Sequence, residues 1–187
     1  MMGNETKGTV LVLDQPTPTL FVDYDGALHR GCALLDEHGD ISLDSGQPLF
    51  EYAPLLAEML EPYPGVQLVL TTSWLYKLPL EQVISYLPPE LAGRVAGTTA
   101  HIKARFGDFK LGIERTYVIR SYVFSKRLKN WLAIDDSVYG AHDLRTSVLD
   151  LEPHLVLLDS QRGIGDAQAQ RRIREWLVDV HTDKSSR

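Results

Sequence analysis

Four short apolar runs punctuate this chain, and each closes on a polar residue: TLFVD (19–23), VQLVLT (66–71), WLAID (131–135) and HLVLLD (154–159). Their apolar positions are consecutive rather than alternating, the pattern of strands covered on both faces, as in parallel sheets. TVLVLD (9–14) is a candidate fifth strand, placed at an edge because Pro16 follows closely. Amphipathic stretches lie between the runs. LFEYAPLLAEMLEPY (49–63) puts Leu49, Tyr52, Leu56 and Leu60 on one stripe and is stopped by Pro62 and Pro64. LEQVISYL (80–87) ends at Pro88–Pro89, SYVFSKRLKNW (121–131) is a weaker helix, and DAQAQRRIREWLVDV (166–180) opens on Asp166 as a candidate N-cap. Strands alternating with helices predict an α/β, doubly wound, mainly parallel sheet, which binds ligands at the carboxyl ends of its strands.

The segment GCALLDEHGDISLDSG (31–46) has two short apolar runs around EHGD and reads as a β-hairpin after the first core strand. One helix follows, which leaves no room there for a large cap domain. A length of 187 residues favours one domain, 1–187, with its core at about 9–180 and a frayed tail at 181–187. The single cysteine, Cys32, excludes an internal disulfide and a cysteine-rich zinc site, and it is read as a small buried residue. The N-terminus lacks the basic start and apolar core of a secretion signal, and no run approaches the roughly 20 apolar residues of a membrane span. A soluble cytoplasmic protein with no membrane partner is the expectation. The net charge of −6 is uneven: residues 94–130 carry nine Lys/Arg and two Asp/Glu. Such a segment either attracts an anionic substrate or forms a solvated basic helical face.

The strand ends collect unusual chemistry. The first run continues Asp23-Tyr24-Asp25-Gly26, the second ends Thr71-Thr72-Ser73, and the third ends Asp135-Asp136-Ser137. Side chains two apart in an extended segment point the same way, so Asp23 and Asp25 converge. A parallel sheet brings Thr71 and Asp136 to the same edge. Three carboxylates and a hydroxyl form a place for a hard cation such as Mg²⁺, which would remove their mutual repulsion.

FVDYDGALH, LVLTTSW and WLAIDDS, in that order, resemble the first, second and fourth motifs of the haloacid dehalogenase-like (HAD) phosphohydrolases. VAGTT (95–99), an Arg ahead of a helix, and a late strand followed by Gly163 and Gly165 resemble the HAD-like domains associated with Swiss Army knife RNA-repair proteins. The resemblance implies a Rossmann-like fold and a phosphatase. In it Asp23 is the nucleophile, Asp25 the general acid and base, and Thr71 or Thr72 the hydroxyl on the phosphoryl group. Asp23, Asp136 and the backbone carbonyl of Asp25 hold Mg²⁺, with Asp135 supporting or sharing that role. The phosphate-binding cation is Arg120, at an expected helix start, with Lys126 and Lys129 as alternatives.

Other residues read more simply. Ser73 is an N-cap; Trp74, Trp131 and Trp176 are core; His29 is a surface-loop histidine; RGIGD (162–166) is a tight strand-to-helix turn; and Asp159 either caps a turn or joins the metal's outer shell. Without a large lid the site would admit a bulky phosphorylated substrate, a polynucleotide end or a phosphoprotein. The rival readings are a catalytically silent HAD-like binding protein and a two-component receiver domain. The receiver places its phosphoacceptor on a middle strand, with its Thr and Lys later, unlike this order.

Overall fold

The structure, a computed structural model, describes residues 14–104, 107, 112–139 and 151–182. Its centre is a five-stranded sheet built from β1 (Thr19–Val22), β4 (Gln67–Leu70), β5 (Val95–Thr98), β6 (Trp131–Asp135) and β7 (Leu155–Leu157). The order is β5-β4-β1-β6-β7 with every pair parallel. The four apolar runs of the sequence are therefore β1, β4, β6 and β7. The candidate strand at 9–14 lies, but for Asp14, outside the described residues. The fifth strand is β5 instead, an edge strand whose short Val-Ala-Gly-Thr run carries little apolar signal. Its glycine answers a packing need: a Cβ at Gly97 would lie 2.4 Å from the Tyr122 hydroxyl.

Between β1 and β4 come the antiparallel pair β2 (Ala33–Leu35) and β3 (Ile41–Leu43), then helix α1 (Ala53–Leu60). The hairpin is as expected, whereas α1 starts later than the stripe implied. Phe50 adopts a positive φ of 56° and Pro54 sits in the first turn of the helix, a position where proline's missing N–H costs nothing. Helices α2 (Leu80–Ser85) and α3 (Pro89–Ala92) join β4 to β5, α4 (Glu114–Lys126) precedes β6, and α5 (Ala167–Thr182) follows β7. Asp166 caps α5 as expected, its carboxylate accepting the N–H groups of Gln168 at 2.8 Å and Ala169 at 3.1 Å.

Strand alternation sorts the core into two layers. Leu20, Val22, Leu68, Leu70, Leu132 and Ile134 pack on α1, α2, α3 and α5. Phe21, Val69, Trp131 and Ala133 face α4, through Ile119, Tyr122 and Val123. Phe21 meets Tyr122 and Trp131 edge-on at 5.5 and 5.9 Å, contacts each worth about 0.5–1.5 kcal/mol beyond area burial. Trp131 and Trp176 are packing residues, as read. From β1 the chain builds outward to β4 and β5, then returns to lay β6 on β1's other side. That reversal makes the carboxyl ends of β1 and β6 the switch point where such sheets hold ligands.

Candidate active site

The register decides which polar residues meet. Phe21 pairs with Val69 on one side and Ala133 on the other. Two residues further along each chain come Asp23, Thr71 and Asp135, which share the α4 side of the sheet because side chains alternate with period two. All three are buried. The Thr71 hydroxyl donates to Asp135 Oδ2 at 3.2 Å. Thr72 points elsewhere: its hydroxyl accepts the Trp74 N–H at 3.3 Å and caps a one-turn 3₁₀ helix, Ser73–Tyr76. The N-cap expected at Ser73 thus belongs to its neighbour.

The cation on these acids is Arg115. Its Nη2 lies 3.2 Å from Asp23 Oδ2 and its Nε 3.1 Å from Asp135 Oδ2. The structure corrects the choice of Arg120, whose guanidinium lies over the rings of Tyr117 and Phe124. Five residues on a helix turn the side chain by about 140°, away from the face that Arg115 uses. The expectation failed at the helix boundary. Helix α4 begins at Glu114, seven residues before the apolar pattern starts, and its N-cap Ile113 makes no side-chain cap. Lys126 lies about 16 Å further along the helix axis, beside Gln15, Thr17 and Thr19 at the amino ends of the strands. Lys129 pairs with Asp14 at 3.1 Å. Neither reaches the site. Within the basic segment, Arg94 donates to the carbonyls of Leu60, Tyr63 and Val66 and Arg127 pairs with Asp14.

Asp23, Asp135 and Asp136 offer oxygens that lie within 4.8 Å of one another. Ser137 holds this group together. Its N–H donates to Asp135 Oδ1 at 2.8 Å, and its hydroxyl lies 2.8 Å from that oxygen and 3.1 Å from Asp136 Oδ1. The Thr116 hydroxyl, in the first turn of α4, donates to the Tyr139 carbonyl at 2.7 Å and ties the loop after β6 to the helix bearing Arg115. Burial pushes the Asp23 carboxyl up to about 6, although Arg115 and the Tyr24 N–H pull it down. Burial and the Asp23 charge push Asp135 up to about 7. Burial and Asp135 raise Asp136. Burial pulls Arg115 down, but Asp23 and Asp135 outweigh it and leave the guanidinium above its ordinary value. One guanidinium thus stands against three carboxylates, and that surplus of hard anionic oxygens fits a divalent cation such as Mg²⁺.

Asp25 leaves the strand direction at a turn. Gly26 takes φ +62°, and a Cβ there would lie 2.2 Å from Asp136 Oδ2, so the glycine of Asp-x-Asp-Gly answers both conformation and space. Between the acids, Tyr24 points to the other side of the sheet and donates to the Val83 carbonyl at 3.0 Å. Asp25 Oδ1 receives three N–H groups: Trp74 Nε1 at 3.0 Å, His29 Nε2 at 3.0 Å and Ala33 N at 3.1 Å. His29 is not a surface residue but fully buried. The Phe50 N–H points at its Nδ1 at 3.4 Å, which leaves Nε2 as the protonated nitrogen. Trp74 is core, as read, and also a donor to Asp25. A histidine six residues after the first acid carries no ligand spacing, so only the folded turn could reveal its partner.

The remaining expectations concern the loops. Gly163–Gly165 forms a 3₁₀ turn whose Ile164 N–H donates to the Ala27 carbonyl at 3.0 Å, bracing the turn after Asp25. Asp159 accepts the Gln161 N–H at 2.8 Å, a turn role. Cys32 is exposed rather than buried. No described helix is long and apolar enough to cross a membrane.

A parallel sheet with Asp-x-Asp-Gly after its first strand, a Thr after the second and paired acids at a later strand end define a HAD-like domain. The family described as the HAD domain in Swiss Army Knife RNA repair proteins matches residues 19–169, and the chain belongs to it. That membership suggests a hydrolase of the phosphatase kind. No curated protein and no solved structure matches the chain.

Proposed function

We propose that this chain is a Mg²⁺-dependent phosphatase working through an aspartyl-phosphate. The observation that carries the reading is Arg115 held between Asp23 and Asp135, with Asp25 two residues from Asp23 and its Oδ1 occupied by three donors. An Asp23 oxygen attacks phosphorus and the bond to the leaving oxygen breaks. Asp25, presenting Oδ2, protonates that oxygen. Asp25 then takes a proton from water, which attacks the same phosphorus and releases phosphate and Asp23. Arg115 and Thr71 stand where charge on the phosphoryl oxygens is stabilised. Asp23, Asp135 and Asp136, with the Asp25 carbonyl, would hold Mg²⁺, which neutralises their charge and polarises the phosphoryl group. Arg115 also supplies the cation whose absence would favour a silent binding protein.

The hairpin β2–β3 is the one inserted element described between β1 and α1, so the site is open enough for a bulky phosphorylated substrate. The RNA-repair association of the family points to a nucleic-acid-related one, and a phosphoprotein is the alternative. The test is phosphate release from p-nitrophenyl phosphate, a phosphopeptide, and oligonucleotides phosphorylated at either end. Each is assayed with and without Mg²⁺ and with Asp23→Asn. Turnover that requires both the metal and Asp23 is the expected result; turnover indifferent to Asp23 would sink the mechanism.

A further inference from the structure

The two acids that hold Arg115 already receive donors on both oxygens, and the two oxygens of each acid differ. Asp135 Oδ1 lies 2.8 Å from the Ser137 N–H nitrogen and 2.8 Å from the Ser137 hydroxyl. Its Oδ2 has longer contacts, 3.1 Å to Arg115 Nε and 3.2 Å to the Thr71 hydroxyl. Asp23 divides the same way. Its Oδ1 accepts the Tyr24 N–H at 2.7 Å, and its Oδ2 meets Arg115 Nη2 at 3.2 Å. Backbone N–H groups next in the chain to each acid hold the Oδ1 atoms, whereas Arg115 is a side chain that can turn. In both acids, then, the oxygen that can be taken from its present donors is the one on Arg115. Mg²⁺ draws its oxygens to about 2.0–2.1 Å, and a guanidinium on the same oxygens repels it. Arg115 is 16% exposed and the acids 4% and 1%, so solvent screens that repulsion little.

We propose that Arg115 is an internal competitor of the metal: guanidinium and divalent cation draw on Oδ2 of Asp23 and of Asp135, and a phosphoryl group that takes up the Arg115 N–H groups leaves these oxygens to the metal. The inference rests on the phosphatase reading for the identity of the metal and of the anion. It adds a coupling that this reading does not contain. The metal binds weakly alone and tightly with phosphate, and by linkage phosphate binds tightly only with the metal. The guanidinium carries five N–H groups and spends two on the acids, so it can meet phosphoryl oxygens without leaving the site. Helix α4 need not move with it, since Thr116 beside it is bonded to the Tyr139 carbonyl at 2.7 Å.

Calorimetry of Mg²⁺ binding, with and without inorganic phosphate, tests this on the parent, Arg115→Met, Arg115→Gln and Arg120→Ala, with folding checked by thermal melting. No turnover is needed. Removing the guanidinium also favours protons on the acids, so the titrations are run at about pH 9, where protons compete least. Arg115→Met should tighten Mg²⁺ alone by about ten-fold, a factor ordinary for coupled sites, and Arg120→Ala should match the parent. The substitution that costs turnover should thus gain metal. Arg115→Gln keeps a polar group against the acids and should show the same gain, which holds the test open if the methionine variant does not fold. Phosphate should tighten Mg²⁺ in the parent and do so less in both variants. Equal or weaker Mg²⁺ affinity in the folded Arg115 variants would overturn the competition and leave the phosphatase standing. A phosphate effect as large in the variants as in the parent would overturn the release step, and Mg²⁺ binding to none of the proteins would overturn the whole inference. If no phosphomonoester is hydrolysed, the phosphatase reading fails, while tighter Mg²⁺ binding in the variants still supports the competition.

Discussion

At the scale of single residues, the proposed phosphatase relies on Arg115, not Arg120, to neutralise the reacting group. Arg115→Met should lower kcat/KM by about 10²–10³-fold, the loss typical of one preorganised electrostatic partner. Arg120→Ala should stay within about two-fold, because its guanidinium lies over the rings of Tyr117 and Phe124. Steady-state kinetics on one substrate separate the two. A second expectation concerns the three donors on Asp25 Oδ1. Trp74→Phe keeps a ring in the core but removes the indole N–H, and His29→Gln keeps an N–H near its place. Loss of positioning should slow an alkyl phosphate, which needs its leaving oxygen protonated, at least about ten-fold more than p-nitrophenyl phosphate. The Trp74→Phe protein should show this split and His29→Gln should show less of it. Equal slowing of both substrates would mean that these donors support the fold alone.

At the scale of elements, the start of α4 is the piece on which the site depends. Its first turn carries Arg115 to the acids and, through Thr116, grips the Tyr139 carbonyl and hence the loop bearing Asp136. Thr116→Val removes a buried hydroxyl bond and should cost about 1–3 kcal/mol, read as a lowered denaturation midpoint. It should also weaken Mg²⁺ activation by displacing Asp136. Gly26→Ala tests the opposite wall. A methyl there meets the Asp136 carboxylate and demands a left-handed backbone, so a loss of about 1–3 kcal/mol is expected together with loss of metal-dependent turnover.

At the scale of the whole molecule, the buried acids couple stability to pH. Asp23 and Asp135 hold their protons to about 6 and about 7 in the folded protein, above their unfolded values near 4. A group with a raised folded carboxyl pKa binds more protons folded, so stability is greatest below the unfolded value and is lost as pH rises through the folded ones. In EDTA the melting temperature should therefore fall as the pH rises from about 4 to about 7. Asp135→Asn should flatten that fall. Saturating Mg²⁺, bound by the folded state alone, should restore stability at about pH 8 by on the order of 3 kcal/mol and do little at about pH 5. The broad architecture was legible because it follows from local patterns: consecutive apolar runs make covered strands, and Asp-x-Asp-Gly, Thr-Thr and Asp-Asp mark their ends. Edge strand β5 was not, since its Gly97 is chosen by Tyr122, a distant residue. The same holds for the cation and for the partners of Asp25. By itself the sequence determined which acids exist and which strands they end, because periodicity and spacing are properties of neighbours. Only the tertiary structure decided which arginine faces them and that a buried histidine and tryptophan hold Asp25, because those contacts depend on a helix boundary and a turn that bring remote residues together.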